Sequence, residues 1–281
     1  MQVFRSLDEF KKARKDLHSV SSIGLVPTMG ALHAGHASLA EKAVAENPYT
    51  IATIFVNPTQ FGPNEDLDKY PRTLEADLKL LDDIGVSVVL APNVAEIYGD
   101  GRSLVSFQIK EMDRKLCGAT RPGHFNGVVQ IVSILFNLAQ PDKAYFGEKD
   151  FQQLMIIRRM IQELHFPLEA VGCPIVREED GLAMSSRNLY LKPDERKQAL
   201  FLNKALQEIR KDFHQFRNKE EVLERVHERM KDYPLVKLDY FDVLEAHDLS
   251  EIEDFQQAKQ AHLFVAAFLG KTRLIDNMSL S

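Results

Sequence analysis

The sequence predicts an α/β protein in which a Rossmann-like parallel sheet domain is followed by a second, smaller α+β domain. β-Branched and apolar runs alternate with segments of helical periodicity between residues 23 and 176, a pattern typical of βαβ units. Crossovers between parallel strands are nearly always right-handed, which favours a Rossmann-like winding. Beyond Arg187 the composition changes to charged amphipathic helices and further strands, which indicates the second domain.

The elements of the first domain follow from periodicity and turn residues. Ser6 and Glu9 have the spacing of a capping box, and apolar residues then recur at helical intervals, which predicts a helix over residues 6–18. Apolar or β-branched runs bounded by turn residues predict strands at 23–26, 50–56, 86–91, 144–146 and 168–176. Apolar residues at helical spacing predict helices at 36–46, 74–84, 124–139 and 151–164.

The second domain is predicted over residues 178–281, after a first domain of residues 1–177. Charged amphipathic patterns predict helices at 193–213 and 219–231, and apolar runs predict strands at 236–244 and 263–268. No Gly/Ser linker and no internal repeat separates the two parts of the sequence. We therefore expect the boundary to be a turn of hinge size.

The composition of the chain limits which binding partners and which cellular compartment are expected. Lys and Arg number 35 against 41 Asp and Glu, so the net charge is -6, and a nucleic-acid partner is not expected. Cys117 and Cys173 are too few for a disulfide framework and lack zinc-site spacing, which favours the cytoplasm. The first residues do not resemble a secretory signal, and no apolar run approaches the roughly 18 residues of a membrane span.

The first candidate site is the string PTMGALHAGH from Pro27, directly after the first predicted strand of the sheet. His33 and His36 lie three residues apart at a predicted helix entrance, so both imidazoles can face one side, near free backbone N–H groups. Gly30 and Gly35 would let a phosphate approach the backbone. This pattern indicates an anion site, and a pair of surface histidines with turn glycines is the alternative.

The second candidate site is FGEKDFQQ from Phe146, where a strand ends and a helix begins. Lys149 in a first helical turn opposes the helix dipole unless an anion lies nearby. Asp150 can meet a magnesium ion, and Gln153 can face the same cleft because it lies one turn along the helix. A solvated helix start with Asp150 as an ordinary first-turn acid is the alternative interpretation.

Two further strings carry polar side chains suited to small anionic ligands. The tetrapeptide from Met184 to Arg187 combines two hydroxyls with a guanidinium, which suits phosphate oxygens, although a polar turn explains it too. Asn57 and Gln60 follow a buried strand in FVNPTQF, where ligands of open α/β sheets bind, although an Asn-Pro turn is equally plausible. Arg121 and His124 are weaker candidates, because a polar helix start explains them about as well.

Together these strings resemble the pantothenate synthetase family of the nucleotidylyltransferase superfamily, which is marked by a His-x-Gly-His element and a later Ser-rich loop. The matching strings are PTMGALHAGH from Pro27, FVNPTQFGPNEDLDKYPRT from Phe55, RPGHFNGV from Arg121, PDKAYFGEKDFQQL from Pro141, DGLAMSSRN from Asp180 and TRLIDN from Thr272. The resemblance is dense over residues 23–192 and thinner in the final strand.

The resemblance implies an AMP-forming ligase of pantothenate biosynthesis that condenses (R)-pantoate with β-alanine, using ATP and Mg²⁺, through a pantoyl adenylate. It implies a catalytic set of His36, His33, Lys149 and Arg187. It implies nucleotide binding by Met29, Gly30, Ala31, Leu32, His33, Ala34, Gly35, His36, Gly147, Glu148, Lys149, Asp150, Val176, Met184, Ser185, Ser186 and Arg187. It implies substrate binding by Asn57, Gln60, Tyr70 and Gln153, with Asp150 at the metal, and it suggests a homodimer.

Three other functions compete with this interpretation. A nucleotidyltransferase acting on a phosphorylated acceptor would demand more cationic donors than Asn57, Gln60 and Gln153 provide. A relative of the aminoacyl-tRNA synthetases shares the His-x-Gly-His element, but the acidic balance of charge disfavours it. An adenine-nucleotide sensor that binds without turnover remains open at the level of sequence.

Overall fold

The structure, a computed structural model, describes residues 1–17, 21–63, 65–99, 105–255, 257–258 and 260–280. The chain divides into two compact units, one made of residues 1–148 with 153–174 and the other of residues 149–152 with 175–281. The predicted α/β class with a smaller second α+β part is confirmed. The assignment of domains to residues 1–177 and 178–281 stays a prediction. Within the described part of the chain, no helix has both the length and the apolar character needed to cross a membrane.

The first unit contains a six-stranded, wholly parallel sheet in the order β1-β4-β3-β2-β5-β6. Its elements are β1 (Gln2–Phe4), α1 (Leu7–Lys15), β2 (Ile23–Thr28), α2 (Ala34–Glu46), β3 (Tyr49–Ile54), α3 (Leu74–Ile84), β4 (Val88–Leu90), α4 (Val94–Tyr98), α5 (Leu116–Thr120), α6 (His124–Ala139), β5 (Lys143–Gly147), α7 (Phe151–Glu163) and β6 (Glu169–Cys173). The first two residues of α7 cluster with the second unit.

The order of the strands identifies where a ligand belongs on this sheet. Strand β2 lies between β3 and β5, so the chain moves outward to one side after β2 and returns to the other side for β5. In open α/β sheets, ligands bind outside the carboxyl ends of the strands at such a switch point. Strand β2 ends at Thr28 and strand β5 ends at Gly147. Each of these residues is the second residue of one of the first two candidate strings, so both strings lie at the switch point.

Small apolar residues bring α2 close to the sheet. Ala40 and Ala43 are fully buried on α2, and they belong to the same cluster as Val26 of β2 and Ala52 of β3. Leu81 of α3 is 1% exposed within this cluster, and truncation of such a side chain to alanine costs about 2–5 kcal/mol. This core fixes the sheet on which the loops at the switch point are mounted.

The start of α1 differs from the prediction in how it is capped. Ser6 occupies the N-cap position, but its hydroxyl makes no capping hydrogen bond, so the predicted capping box is wrong. Glu96 of α4 takes that role instead, because its Oε2 atom accepts from Leu7 N at 2.7 Å. A partner 89 residues away replaces the local one. The helix ends at Lys15, and residue 18 of the predicted helix lies outside the described residues.

Strand β1 and the helices α4 and α5 of the first unit were not predicted. Strand β1 has only three residues and therefore carries no periodicity that a sequence pattern can reveal. Helix α4 does have a signal, because the side chain of Asn93 accepts from Glu96 N at 2.9 Å, and this pair has N-cap spacing. Helix α5 is a single turn that begins at Leu116, a residue with a φ of +50°.

The second unit is a three-stranded antiparallel sheet in the order β7-β8-β9, packed with helices around its own core. Its elements are α8 (Pro193–Gln198), α9 (Phe201–Asp212), α10 (Lys219–Met230), β7 (Val236–Glu245), β8 (Ala261–Leu269) and β9 (Thr272–Ser279). The single helix predicted over 193–213 is wrong. It is interrupted after Gln198, because Leu202 N donates to Ala199 O in a tighter turn before α9 continues.

Candidate active site

The loop after β2 carries the first candidate string, and a glycine is required at its turn. Gly30 has a φ of +78°. A Cβ atom at Gly30 would lie 3.0 Å from Asp77 Oδ2 and 3.1 Å from Ile54 Cγ2, so a side chain there meets both strain and crowding. Ala31 continues the turn with a φ of +51°, and α2 begins at Ala34. The loop is therefore compact and sharply turned.

Asp77 anchors this loop from α3. Its buried carboxylate accepts from Ala31 N at 2.9 Å and from Leu32 N at 2.8 Å, and Thr73 Oγ1 donates to it at 3.1 Å. Sequence analysis missed this residue. The sequence did carry a signal for Asp77, because it lies four residues before Leu81 and therefore on the same, inner face of α3. A carboxylate buried there needs hydrogen-bond donors. The loop's amide groups at residues 31 and 32 therefore serve the fold.

His33 and His36 face one side of the helix start, as predicted, with ring centroids 4.1 Å apart. The prediction of free backbone N–H groups beside them is wrong. Gly35 N donates to His33 Nδ1 at 3.1 Å, and His33 N donates more weakly to His36 Nδ1 at 3.4 Å. Because each Nδ1 accepts a hydrogen bond, the proton of each neutral ring lies on Nε2, and that N–H group is the donor of the ring.

Asn57 is saturated by protein contacts. It is 1% exposed and begins the short 3₁₀ helix Pro58–Gln60. Its Nδ2 donates to Gln60 Oε1 at 3.2 Å and to Gly127 O at 3.1 Å. Its Oδ1 accepts from Tyr98 Oη at 2.8 Å and from Thr59 Oγ1 at 3.1 Å. Both hydrogens and both lone pairs are used, so the amide of Asn57 orients the side chain of Gln60.

Gln60 contacts three other residues, namely Asn57, Met29 and His124. Its side chain is largely buried, and Nε2 lies 2.9 Å from Met29 Sδ of the histidine loop. Its backbone oxygen accepts from His124 Nδ1 at 2.8 Å. His124 Nε2 accepts from Arg121 Nη1 at 2.8 Å, which fixes the histidine proton on Nδ1. The string after α5 thus supports the position of Gln60.

An ion pair holds Arg121 in this network. Arg121 donates from Nε and Nη2 to the two carboxylate oxygens of Glu65, each at 2.7 Å. Burial acts to raise the pKa of Glu65, but the hydrogen bonds and charge of Arg121 outweigh it and the pKa is lowered. The guanidinium is therefore neutralised by a carboxylate 56 residues away, and Arg121 positions His124.

Gly127 allows α6 to approach the 3₁₀ helix of Gln60. A Cβ atom at this position would lie 2.4 Å from Thr59 O and 2.6 Å from Gln60 N, both of them backbone atoms. No rotation of a side chain can relieve such contacts. The close approach of two backbones is therefore what requires a glycine at this position.

Tyr70 and Gln153 complete the predicted substrate-binding set in the first unit. Tyr70 is 6% exposed, and its ring packs edge-on against Phe61 with centroids 5.8 Å apart. Gln153 is half-buried on α7. Their roles stay predictions, as does that of Gly147 at the end of β5.

Lys149 belongs to the second unit and lies in a 3₁₀ turn, Glu148–Asp150, directly ahead of α7. The prediction that it occupies the first turn of the α-helix is wrong by one turn. Its Nζ lies 3.6 Å from Asp150 Oδ2. The side chain of Asp150 is 49% exposed and that of Lys149 is 21% exposed, so the carboxylate is half-exposed while the lysine side chain is largely buried.

The Met184 to Arg187 string follows a tight hairpin in the second unit. Arg177 and Ala183 form an antiparallel bridge, and Met184 N donates to Val176 O at 3.0 Å. Ser185 Oγ then accepts from Arg187 N at 3.3 Å and begins the 3₁₀ helix Ser186–Tyr190. The oxygen of the Ser185 hydroxyl accepts the capping hydrogen bond, so the hydroxyl hydrogen can donate a hydrogen bond to another group.

Cys117 and Cys173 are both buried. Burial raises the pKa of the Cys173 thiol to about 11. The thiol is therefore protonated at neutral pH and is a poor nucleophile. It adds no chemistry to the loops described above.

A Rossmann-like sheet with a histidine pair at the carboxyl end of its central strand defines a nucleotide-binding α/β protein. The chain belongs to the pantoate-beta-alanine ligase family, whose sequence model matches residues 2–279. That membership agrees with the resemblance drawn from the motifs alone.

Similar proteins match over nearly the whole chain. Pantothenate synthetase of Thermosipho africanus is 45% identical over 279 residues, covering 99% of both chains. A crystal structure of pantothenate synthetase from Thermus thermophilus has a TM-score of 0.92 at 43% identity, covering 100% of this chain and 99% of that one. The structure of pantoate-beta-alanine ligase from Francisella tularensis, complexed with beta-gamma ATP and beta-alanine, has a TM-score of 0.83 at 34% identity, covering 100% of this chain and 98% of that one.

Proposed function

We propose that this protein condenses (R)-pantoate with β-alanine at the expense of ATP, releasing pantothenate, AMP and pyrophosphate. The observation that carries the proposal is the family match over residues 2–279. The Francisella tularensis relative, which holds an ATP compound and β-alanine, supports ATP and β-alanine as substrates here. The protein is accordingly an ATP-dependent ligase of pantothenate biosynthesis.

The reaction proceeds in two steps. The pantoate carboxylate attacks the α-phosphorus of ATP, the bond to the bridging oxygen breaks, and pyrophosphate leaves with the bonding electrons. The amine of β-alanine then attacks the carbonyl of pantoyl adenylate, loses a proton and expels AMP. Negative charge grows on phosphate oxygens in the first step, so fixed donors and cations aimed at those oxygens lower the barrier.

The histidine loop provides such donors in the first unit. We assign Met29 to His36 to the nucleotide, with the Nε2–H groups of His36 and His33 donating to phosphate oxygens. The geometry supports this because each Nδ1 is engaged by the loop's own backbone. Asp77 holds the loop in this shape before ATP arrives, so little ordering is needed on binding.

The second unit provides cations and hydroxyls. We assign Lys149 and Arg187 to the neutralisation of phosphate charge. We also assign nucleotide contacts to Asp150, Val176, Met184, Ser185 and Ser186 of this unit, and to Gly147 and Glu148 of the first unit. A lysine ahead of a helix start and an arginine after a capping serine both suit anionic oxygens.

Pantoate is assigned to Gln60, Gln153 and Tyr70, with β-alanine near Gln60. Asn57 belongs to this set through its effect on Gln60, because its own hydrogen-bonding groups are all used within the protein. A phosphorylated acceptor is disfavoured, since Arg121, the cation in the network that supports Gln60, is already paired with Glu65.

Mg²⁺ is assigned to Asp150 and the phosphates of ATP. Among the described residues there is no group of three or more His, Cys, Asp or Glu side chains that can hold a metal ion. Asp150 does offer a half-exposed carboxylate beside Lys149. Mg²⁺ commonly binds through one or two carboxylates together with substrate phosphates, and the donor set fits that mode. When bound, the ion would neutralise charge on the phosphates.

The experiment is product analysis by mass spectrometry. Purified protein is mixed with Mg-ATP and (R)-pantoate, with and without β-alanine, and His36→Ala serves as the matched variant. We expect pantothenate and AMP together only in the complete mixture, and a much smaller yield from His36→Ala. Binding of ATP without either product would instead indicate a sensor or another acceptor. A homodimer and a cytoplasmic location stay predictions.

A further inference from the structure

We propose that Asp276 and Asn277, adjacent residues on β9, position the two cations of the second unit for the phosphates of ATP. The inference rests on the proposed function and concerns the TRLIDN string, to which no role has yet been given. We do not assign either side chain to a contact with the substrate. Asn277 contacts the backbone of Lys149, and Asp276 contacts the hairpin of residues 176–184 that precedes Arg187.

Asn277 holds the backbone of Lys149. It is 4% exposed, and its Nδ2 donates to Lys149 O at 2.8 Å. Its Oδ1 accepts from His262 Nε2 at 2.8 Å, which orients the amide, since only the nitrogen end can donate to a carbonyl. The ring of His262 stacks on Phe151 with centroids 3.9 Å apart. The segment 149–151 is thus fixed at its backbone and at a neighbouring ring.

Asp276 holds the hairpin. Its side chain is 1% exposed, and its two oxygens accept from Arg177 at 2.6 and 3.0 Å. Arg177 Nη1 also donates to Gly181 O at 3.1 Å, across the turn of the hairpin. The hairpin ends at Met184, the first residue of the string that carries Arg187. A buried carboxylate therefore sets where that string begins.

The two anchors share one rigid strand. Successive side chains of a strand leave it on opposite faces, so Asp276 and Asn277 can hold two different segments at a fixed separation. Both pair with the central strand β8, opposite Val265 and Phe264, and Asn277 N donates to Asp276 Oδ1 at 2.8 Å. The positions of Lys149 and Arg187 therefore both depend on contacts made by β9.

The test separates the two half-reactions. In Asn277→Asp, the atom facing Lys149 O can no longer donate, although the shape and the acceptor for His262 remain. A displacement of about 1 Å can cost up to about 100-fold in rate, so we expect AMP formation to fall about 10- to 100-fold. We expect KM for pantoate, and the rate at which supplied pantoyl adenylate reacts with β-alanine, to stay within about twofold. Thr272→Val, a buried change at the start of β9, is the matched control and should alter neither rate.

A double-mutant cycle with Lys149→Ala decides whether Asn277 acts through the lysine. If it does, Asn277→Asp adds less than about twofold to the loss already caused by Lys149→Ala. A fully additive loss, or an equal fall in both half-reactions, overturns the inference. The binding of Mg-ATP, followed by calorimetry in the same variants, keeps this test apart from the proposed function. If the unmodified protein forms no pantothenate, the ligase assignment is wrong. Even then, weaker binding of ATP by Asn277→Asp than by the unmodified protein would still support the positioning role.

Discussion

Gly127→Ala probes the packing that places Gln60. The added methyl group would lie 2.4 Å from Thr59 O, and ordinary contact begins near 3.4 Å, so the 3₁₀ helix must move by about 1 Å. That shift stretches the bonds from Asn57 Nδ2 to Gly127 O and from His124 Nδ1 to Gln60 O. Overpacking of this kind costs about 1–3 kcal/mol, which lowers the melting temperature by roughly 3–10 °C.

The same shift should be visible in catalysis, because it moves a residue assigned to pantoate. We expect kcat/KM for pantoate to fall about 10- to 100-fold, while binding of ATP changes by less than about threefold. The control is Gly62→Ala, two residues after Gln60, where a Cβ atom meets nothing closer than 3.6 Å. Steady-state kinetics and thermal unfolding of both variants provide the measurement. If Gly127→Ala behaves like Gly62→Ala in both, the account of how Gln60 is positioned is refuted.

Three further predictions concern other parts of the chain. His36→Ala should slow AMP formation by about 100-fold or more in single-turnover assays while shifting the melting temperature by less than about 3 °C, and an unchanged rate would contradict its role. Hydrogen bonds from Lys42 and then Tyr145 hold the pKa of Glu46 at about 2, so its stabilisation is present above the ordinary value of 4.5 and lost as pH falls towards 2. Thermal unfolding from about pH 6 to about pH 3 should therefore show a smaller drop for Glu46→Gln than for the unmodified protein, and equal drops would disprove the sign. Asp150→Asn should raise the Mg²⁺ concentration needed for half-maximal AMP formation about tenfold, whereas an unchanged titration would place the ion elsewhere.

Local patterns in the sequence predicted much of the fold and part of the local geometry of the candidate site. The facing pair of His33 and His36 follows from helical spacing alone, and the glutamine at residue 60 follows from its place after a buried strand. What local patterns could not reveal are contacts between distant residues. Asp77 meets the histidine loop from 46 residues away, and Glu65 reaches Arg121 across 56.

Capping shows the same limit on a smaller scale. Ser6 has the right neighbour for a capping box, yet Glu96 supplies the acceptor, because tertiary packing brings a better-placed carboxylate to the helix start. Asn93 does cap its own helix, and its signal was as strong as that of Ser6. Spacing identifies which residues can cap, and packing decides which of them do.

The central claim, attack of the pantoate carboxylate on the α-phosphorus of ATP, is tested most directly with pantoate labelled with ¹⁸O in both carboxylate oxygens. The protein is incubated with this substrate, Mg-ATP and β-alanine, and the AMP is examined by mass spectrometry. The account predicts one ¹⁸O atom in the phosphoryl group of AMP for each pantothenate formed, because the second step breaks the bond between the carbonyl carbon and that oxygen. Unlabelled AMP, or the release of ADP with labelled phosphate, would contradict it.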